Sequence, residues 1–343
     1  MMKGARLRCA GTVSLLLLTF CTASSQDPDD HQVRIMFYNA ENLFDVSDDT
    51  SAGDDEFLPG AIRRWTARRL DAKINLLAKT IIAAGEWSPP IVVGMCELEN
   101  RAVIGKLINT SLLARYKYEI VHHDSPDPRG IDVGLIYRSD HVRIISSRSL
   151  IPDNYTLSTF TTRDVLHTRL LISDDTIDLF LNHWPSRRGG VLAADKLRTD
   201  LAKMVRRETD SIFSADGRDA KIIITGDFNC NPDDNAIRIL TSGDDSGMIN
   251  LTSQLRDSEG TYRYQGTWEM IDQVIVSKSL LDDSSGLYTE HGGLNVFRAP
   301  FLLYSDPRYP GYTPLPTYSG FIYKGGCSDH LPLVLTLSLH HSF

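Results

Sequence analysis

Residues Lys221-Ile222-Ile223-Ile224-Thr225-Gly226-Asp227-Phe228-Asn229 decide how this chain is read. Four consecutive β-branched residues suit a strand buried on both faces, as in the middle of a parallel or mixed sheet. The strand is read over Lys221–Thr225. Gly226 punctuates it, and Asp227 and Asn229 stand just past its end, where catalytic side chains are commonly mounted. The pattern recurs. Val33–Tyr38 runs into Asn39 and Asn42 (YNAEN), Ile91–Met95 into Glu97 (CELEN), and Ile177–Leu181 into His183 (NHWPSRRGG). Asp272 lies inside the apolar run Met270–Val276, where an acid needs a partner. Asp329-His330 (SDH) opens the run Leu331–Leu339.

Helices are expected between these strands. Arg63–Ala84 places Leu70, Ile74, Leu77, Ile81 and Ile82 at roughly helical spacing, Ala102–Leu113 reads as a second helix, and Val191–Phe213 as the longest. Tyr118–His122, Val133–Tyr137 and Arg143–Ser147 read as strands of a meander, Arg169–Ile172 as a further strand, and the Pro/Tyr/Gly-rich stretch Phe297–Gly326 as an ordered loop. Helices interspersed with strand pairs, not strict βαβ alternation, predict an α/β protein of two mixed β-sheets packed together with helices outside. No internal repeat and no linker composition divides residues 26–343, which are read as one domain.

The first 25 residues look different. Lys3, Arg6 and Arg8 precede the apolar run Thr12–Phe20, too short to span a bilayer, and Thr22-Ala23-Ser24-Ser25 offers small residues for cleavage. This predicts an exported protein that is periplasmic, secreted or, if Leu18-Thr19-Phe20-Cys21 acts as a lipoprotein box, held at the cell surface by a lipid on Cys21. Phe20 departs from the small residue such a box prefers. Losing residues 1–25 removes three basic groups and no acid, so the formal charge goes from −8 to −11. A coat for duplex nucleic acid would need the opposite sign, and the 42% hydrophobic and 23% charged composition excludes a disordered chain and a multi-span membrane protein. Of five cysteines, three remain beyond the leader (Cys96, Cys230 and Cys327), without a CxxC pair, and are expected as small buried residues.

Carboxylates and amides without a Cys/His cluster favour a hard divalent cation: Mg²⁺ first, with Mn²⁺ or Ca²⁺ as alternatives. Two histidines, each near acids, suit general acid–base work and phosphate contact. Arg187 and Arg188, before Gly189-Gly190, can present a guanidinium fork to an anion. Metal, carboxylate, imidazole and guanidinium together describe phosphoester hydrolysis.

Taken in order, YNAEN, CELEN, NHWPSRRGG, GDFN, IDQ and SDH closely resemble the endonuclease/exonuclease/phosphatase superfamily, from Val33 to about Leu339. The resemblance implies a four-layer sandwich of the deoxyribonuclease type and divalent-metal hydrolysis of a phosphoester. It implies Glu97 as principal metal carboxylate, with Asn39 beside it and Asp329 near the metal. Asp227 would aim or activate the water, Asn229 fix the scissile phosphate, Asp272 orient His330, and His183 contact phosphate and protonate the leaving oxygen. Asn42 stays an alternative to Asn39. Asp124 or Asp132 is a candidate acid partner for His183, and Arg129, like Arg187, a candidate phosphate contact.

Blander readings stand beside these. Glu97 could cap the following helix, Asp227-Phe228-Asn229 could be an Asx turn, and Arg187-Arg188 a solvated pair. His122-His123 and His340-His341 default to the surface, and Trp65 with Arg63, Arg64, Arg68 and Arg69 to a basic helix face. The function expected is an exported metal-dependent nuclease with nucleic acid as substrate and no stable protein partner evident. The alternatives are a lipid or sugar-phosphate phosphatase and a catalytically silent surface binding protein. The net negative charge requires a local basic strip or the cation itself to attract a polyanion.

Overall fold

The computed structural model describes Met1 and residues 32–340, apart from residues 87, 157, 158, 160, 187–189, 244, 245, 256–259 and 285. The leader with Cys21, and Arg187, lie outside the described residues. The chain divides after Asp30, and the unit His31–Phe343 carries both sheets.

In chain order this unit runs β1 Gln32–Leu43, α1 Ala67–Ala84, β2 Val92–Leu98, α2 Arg101–Thr110, β3 Tyr118–His122, β4 Asp132–Arg138 and β5 Val142–Leu150. Then come β6 Val165–Ile172, β7 Asp175–His183, α3 Val191–Asp216, β8 Lys221–Asp227, α4 Asn235–Thr241 and β9 Met248–Asn250. The C-terminal part holds β10 Tyr262–Tyr264, β11 Thr267–Glu269, β12 Asp272–Ser277, β13 Leu287–Tyr288 and β14 Leu294–Val296. It closes with β15 Leu303–Ser305, β16 Tyr312–Pro314, β17 Tyr318–Ser319, β18 Ile322–Tyr323 and β19 Leu333–Leu339.

One sheet has the order β13-β19-β1-β2-β4-β3, with β14 also on β19, and the other β5-β6-β7-β8-β12-β9. Each is mixed: β1–β2 and β7–β8 are parallel, and their outer neighbours run antiparallel. The alternation of side chains along a strand explains the layers. Ile35, Phe37, Val92, Leu179, Leu181, Ile223 and Val274 meet between the sheets. Met36, Tyr38, Val93 and Met95 face Leu70, Ile74, Leu77 and Val103 of α1 and α2. On the far side Phe180, Ile222, Ile224 and Ile275 face Leu201, Val205 and Ile237 of α3 and α4. Both faces of the central strands are covered, hence their unbroken apolar runs, and the four-layer sandwich expected from the sequence is the fold observed.

Gly226 is needed where it stands. It lies opposite Asn182 in the parallel β7–β8 register with φ 153°, and a Cβ there would meet the Asn182 carbonyl oxygen at 2.1 Å.

Several expectations shift. The helix read from Arg63 starts only at Ala67, because Trp65 is buried and its Nε1–H donates to the Phe44 carbonyl at 2.9 Å. The meander is split, since β3 and β4 belong to one sheet and β5 to the other. The loop Phe297–Gly326 contains two small hairpins, β15–β16 and β17–β18. Cys96, Cys230 and Cys327 are buried thiols outside any disulfide, as expected.

Candidate active site

Strand periodicity delivers the site. Asn39 continues the inter-sheet face of Ile35 and Phe37, His183 that of Leu179 and Leu181, and Asp227 that of Ile223, while Asp272 precedes Val274 and Val276 on the same face. Asp272 and Asp227 pair directly across β12–β8, and His183 pairs with Asp227 across β7–β8. Glu97 would fall on the helix side by strict alternation. A register shift between Cys96 and Leu98 and a left-handed backbone at Glu97, φ 59°, re-aim it. Glu41, Asn42 and Asn229 also have positive φ, at 46°, 54° and 48°. Non-glycine residues rarely adopt this conformation, and four such residues stand together here.

Asn39 Nδ2 donates to Asp227 Oδ2 at 3.0 Å and to Glu97 Oε1 at 3.5 Å, while its Oδ1 accepts from the Glu41 N–H at 2.8 Å. Asn39 therefore turns its amino group, not its oxygen, to the carboxylates. The Asn42 N–H donates to Glu97 Oε2 at 2.8 Å. His183 Nε2 lies 3.9 Å from both Glu97 Oε1 and Asp227 Oδ2, and His330 Nε2 lies 3.8 Å from Asp227 Oδ2. His330 Nδ1–H donates to Asp272 Oδ2 at 2.7 Å. The Ser328 hydroxyl accepts from the His330 N–H at 3.0 Å and donates to the Asn39 carbonyl at 2.6 Å, tying SDH to YNAEN. Arg129 Nη2 donates to Asn42 Oδ1 at 2.5 Å and stands 3.7 Å from Glu97 Oε2.

Charges are distributed unevenly. Burial pushes the Asp227 carboxyl up to about 7, with Asp272 adding to the effect. Burial alone would raise Glu97 too, but Arg129, His330, the Asn42 amide and Arg163 hold it below the ordinary glutamate range. Burial works against a charge on His330, yet Asp272, Asp227 and Asp329 outweigh it and raise its pKa well above the usual value. His183 goes the other way: burial, then Arg163, Arg129 and His330, keep it neutral. Asp329 is half-buried and raised by burial and Glu97.

One pH dependence follows. Asp227 and Glu99, raised to about 7, and Glu41, raised to about 8, hold protons in the folded chain that the unfolded chain has already released by pH 6. A raised carboxyl pKa withdraws stability as pH climbs through the folded value. The metal-free protein is thus expected to be less stable at pH 8 than at pH 6 by on the order of 2 kcal/mol. Urea unfolding at the two values checks this, and equal or greater stability at pH 8 refutes it.

Asn39, Glu97, His183, Asp227, Asp272 and His330 are thus brought together, with Arg129 over Glu97. Asn229 sits beside them with its N–H on Asp227 Oδ1 at 2.9 Å, so the Asx turn is real, and its Nδ2 donates to the Trp184 carbonyl at 2.9 Å. The cap of α2 is Asn100, which accepts from the Val103 N–H at 2.9 Å, not Glu97. The proposed partners of His183 need correction. Asp132 is engaged by the Nε2–H of His122 at 3.0 Å and by Ser125, Asp124 approaches only the other His122 nitrogen at 3.8 Å, and His183 Nδ1 is buried with no hydrogen-bond partner among the described residues. His122 is likewise no surface residue: its ring is enclosed. Arg163, unremarked in the sequence, is buried next to the site, with Nη2 donating to the Trp184 carbonyl at 3.0 Å.

Acids, imidazoles and a guanidinium converge at one end of a four-layer sandwich, a set of groups suited to phosphoester hydrolysis. The chain belongs to the endonuclease/exonuclease/phosphatase family, whose sequence profile matches residues 34–339. No curated protein matches the sequence. Among solved structures it is similar to an endonuclease/exonuclease/phosphatase family protein from Bacteroides thetaiotaomicron, at TM-score 0.57 and 14% identity over 91% of this chain and 98% of that one. A mannosyl-6-phosphatase of the same species gives TM-score 0.57 and 14% identity over 90% and 100%. The human Nocturnin catalytic domain with a bound sulfate anion gives 0.55 and 15% over 90% and 94%.

Members of this family hydrolyse phosphoester bonds and depend on a divalent metal. The residues here fit such an ion, because carboxylate oxygens of Glu97 and Asp227 both lie 3.9 Å from His183 Nε2, and Asp227 also lies 3.8 Å from His330 Nε2, an oxygen-rich donor set flanked by imidazoles. Glu97, with Asp329 beside it, would hold the cation, which when bound polarises the phosphoryl oxygens.

Proposed function

We propose that this chain is an exported phosphodiesterase of the nuclease type that uses Mg²⁺ to hydrolyse nucleic acid. The observation that carries the reading is the approach of His183 Nε2 and His330 Nε2 to the same oxygen, Asp227 Oδ2, at 3.9 and 3.8 Å. An acid pushed up to about 7 is suited to accept a proton from water near neutral pH. A charged His330 stabilises the developing phosphoryl charge, and neutral His183 contacts phosphate. Because His183 is held neutral, its contribution is hydrogen bonding before proton donation. The NHWPSRRGG stretch supports the nuclease side through its resemblance. The intact set of Glu97, Asp227, Asp272 and His330 speaks against a silent binding protein.

A second reading, a phosphatase or phosphodiesterase acting on lipid or sugar phosphates, has one observation of its own. Phe321 and Ile322, at the tip of the β17–β18 hairpin, are exposed, and at its base the Thr317 and Tyr318 N–H groups donate to the Glu41 carboxyl beside Asn42. The hairpin that carries these apolar residues is thereby joined to the end of β1 beside the site.

The test is hydrolysis of plasmid DNA, RNA and bis-p-nitrophenyl phosphate with Mg²⁺, Mn²⁺ or Ca²⁺, EDTA controls and His183→Ala. Metal-dependent nicking, reduced about 10²-fold or more by the substitution, is expected. Intact nucleic acid with turnover of lipid or sugar phosphates moves the assignment to the second reading. No turnover of any phosphoester overturns both. The mass of the mature N-terminus separates a lipid on Cys21 from plain cleavage.

A further inference from the structure

Asp127 and Arg163 form an ion pair, Nη1 to Oδ2 at 2.8 Å, with side chains 3% and 8% exposed. Its geometry joins two parts of the site. Asp127 Oδ1 accepts from the Arg129 N–H at 2.9 Å, and the Asp127 carbonyl accepts from the Gly130 N–H at 2.9 Å, so the acid closes the turn that carries Arg129. Arg163 Nη2 donates to the carbonyl of Trp184, the residue after His183. A single guanidinium therefore fastens the 127–130 turn to the end of β7. On the other side the Gly53 N–H donates to the Pro128 carbonyl at 2.8 Å, and a Cβ on Gly130, at φ 65°, would meet Ala52 at 2.5 Å. The turn is held on both flanks. Arg129, which it displays, keeps 48% of its side chain exposed while one nitrogen engages Asn42 and Glu97.

We propose that the buried Asp127–Arg163 pair is a latch that positions Arg129 to grip the substrate phosphate. Arg163 reaches the turn through Asp127, apart from the charge it lends to Glu97 and His183. The reason is preorganisation. A long cationic side chain on a loose loop must be ordered at each binding event, and a displacement of about 1 Å at such a group can cost on the order of 10²-fold. A guanidinium buried between a carboxylate and a carbonyl, one nitrogen on each, removes that freedom beforehand. The catalytic part of this inference rests on the proposed phosphoester hydrolysis; the anion-binding part does not.

The experiment compares Arg129→Met, Asp127→Ala and their combination in two assays: titration calorimetry with inorganic phosphate, and kcat and KM on bis-p-nitrophenyl phosphate. Asp127→Ala is expected to weaken phosphate binding and raise KM about tenfold, with kcat within about twofold. Adding Arg129→Met to it should have no further effect, because both changes remove one grip. Arg163→Lys, which keeps the charge without the fork, should lose less phosphate affinity than Arg163→Met. If Asp127→Ala fails to fold because Arg163 is left unpaired, the charge-free pair Asp127→Ala/Arg163→Met is read in its place by phosphate binding and KM alone, because loss of the Arg163 charge also reaches Glu97 and His183. Wild-type phosphate binding and KM in the folded latch variant, or effects that add fully to those of Arg129→Met, overturn the latch. Phosphate binding that follows the expected pattern in a chain that turns over no phosphoester keeps the latch and rejects the hydrolase reading.

Discussion

Asp272→Asn is expected to lower kcat by about 10³-fold while the protein still folds; changing the orienting acid of a catalytic triad to its amide has an effect of that order or larger. Asp272 opens β12 directly opposite Asp227, and its Oδ2 accepts the Nδ1–H of His330 at 2.7 Å. Its other oxygen is buried with no hydrogen-bond partner among the described residues. A carboxylate that is half unsatisfied in the interior is costly, and the charged ring beside it supplies the compensation. Asparagine keeps the volume and can still accept that hydrogen bond. It removes the negative charge that, against the opposing effect of burial, contributes most to raising the His330 pKa. His330 then loses its proton at lower pH and faces Asp227 and the substrate as a neutral ring. The check is the pH profile of kcat together with a thermal melt. The limb belonging to His330 should move to lower pH, and wild-type turnover between pH 6 and 8 would remove Asp272 from the chemistry.

What the sequence makes legible follows from how the molecule is layered. Strands covered on both faces must be apolar throughout, so KIIIT, IVVGM and VRIMFY stand out, and the polar groups ending them stand out by contrast. The sheet switch between β4 and β5 leaves no such mark, because a turn at Arg138–Val142 has the same composition whichever sheet receives the next strand. Strands of two or three residues, as in β15–β18, are too short for any period to register. Pairs formed by folding are equally silent: Asp127 and Arg163 are 36 positions apart, each inside a polar stretch. His122 and Asp132 are closer, but the loop joining β3 to β4 hides their convergence. One residue did carry a usable signal. Lys73 lies three positions after Leu70 and four before Leu77, on the apolar stripe of α1, where a solvated lysine has no place.

Lys73→Met is expected to destabilise the protein by about 3–5 kcal/mol, since each buried acceptor left without its donor costs roughly 1–3 kcal/mol. The ammonium is 1% exposed and spends its three donors on the Glu41 carbonyl at 2.6 Å, the Cys327 carbonyl at 2.9 Å and the Thr317 hydroxyl. Methionine is one atom shorter and offers no donor, so the loss is chiefly polar, with little cavity. Urea unfolding should show it as a lower midpoint at unchanged slope. The consequence reaches the site as well. Lysine binds the end of β1 to the segment that leads into Ser328 and His330, and the Glu41 carboxyl reinforces this by accepting from the Thr317 and Tyr318 N–H groups at 2.7 and 3.3 Å. Glu41 in turn is flanked by Asn39 and Asn42, whose amides contact Glu97. Turnover measured well below the melting temperature should therefore fall together with stability, with kcat affected more than KM, because the groups displaced are those around the reacting phosphate and not the grip of Arg129. A Met variant as stable as the parent would show that the three acceptors find other donors. A destabilised variant with unchanged kcat would show that the turn at Glu41 holds the site without its lysine.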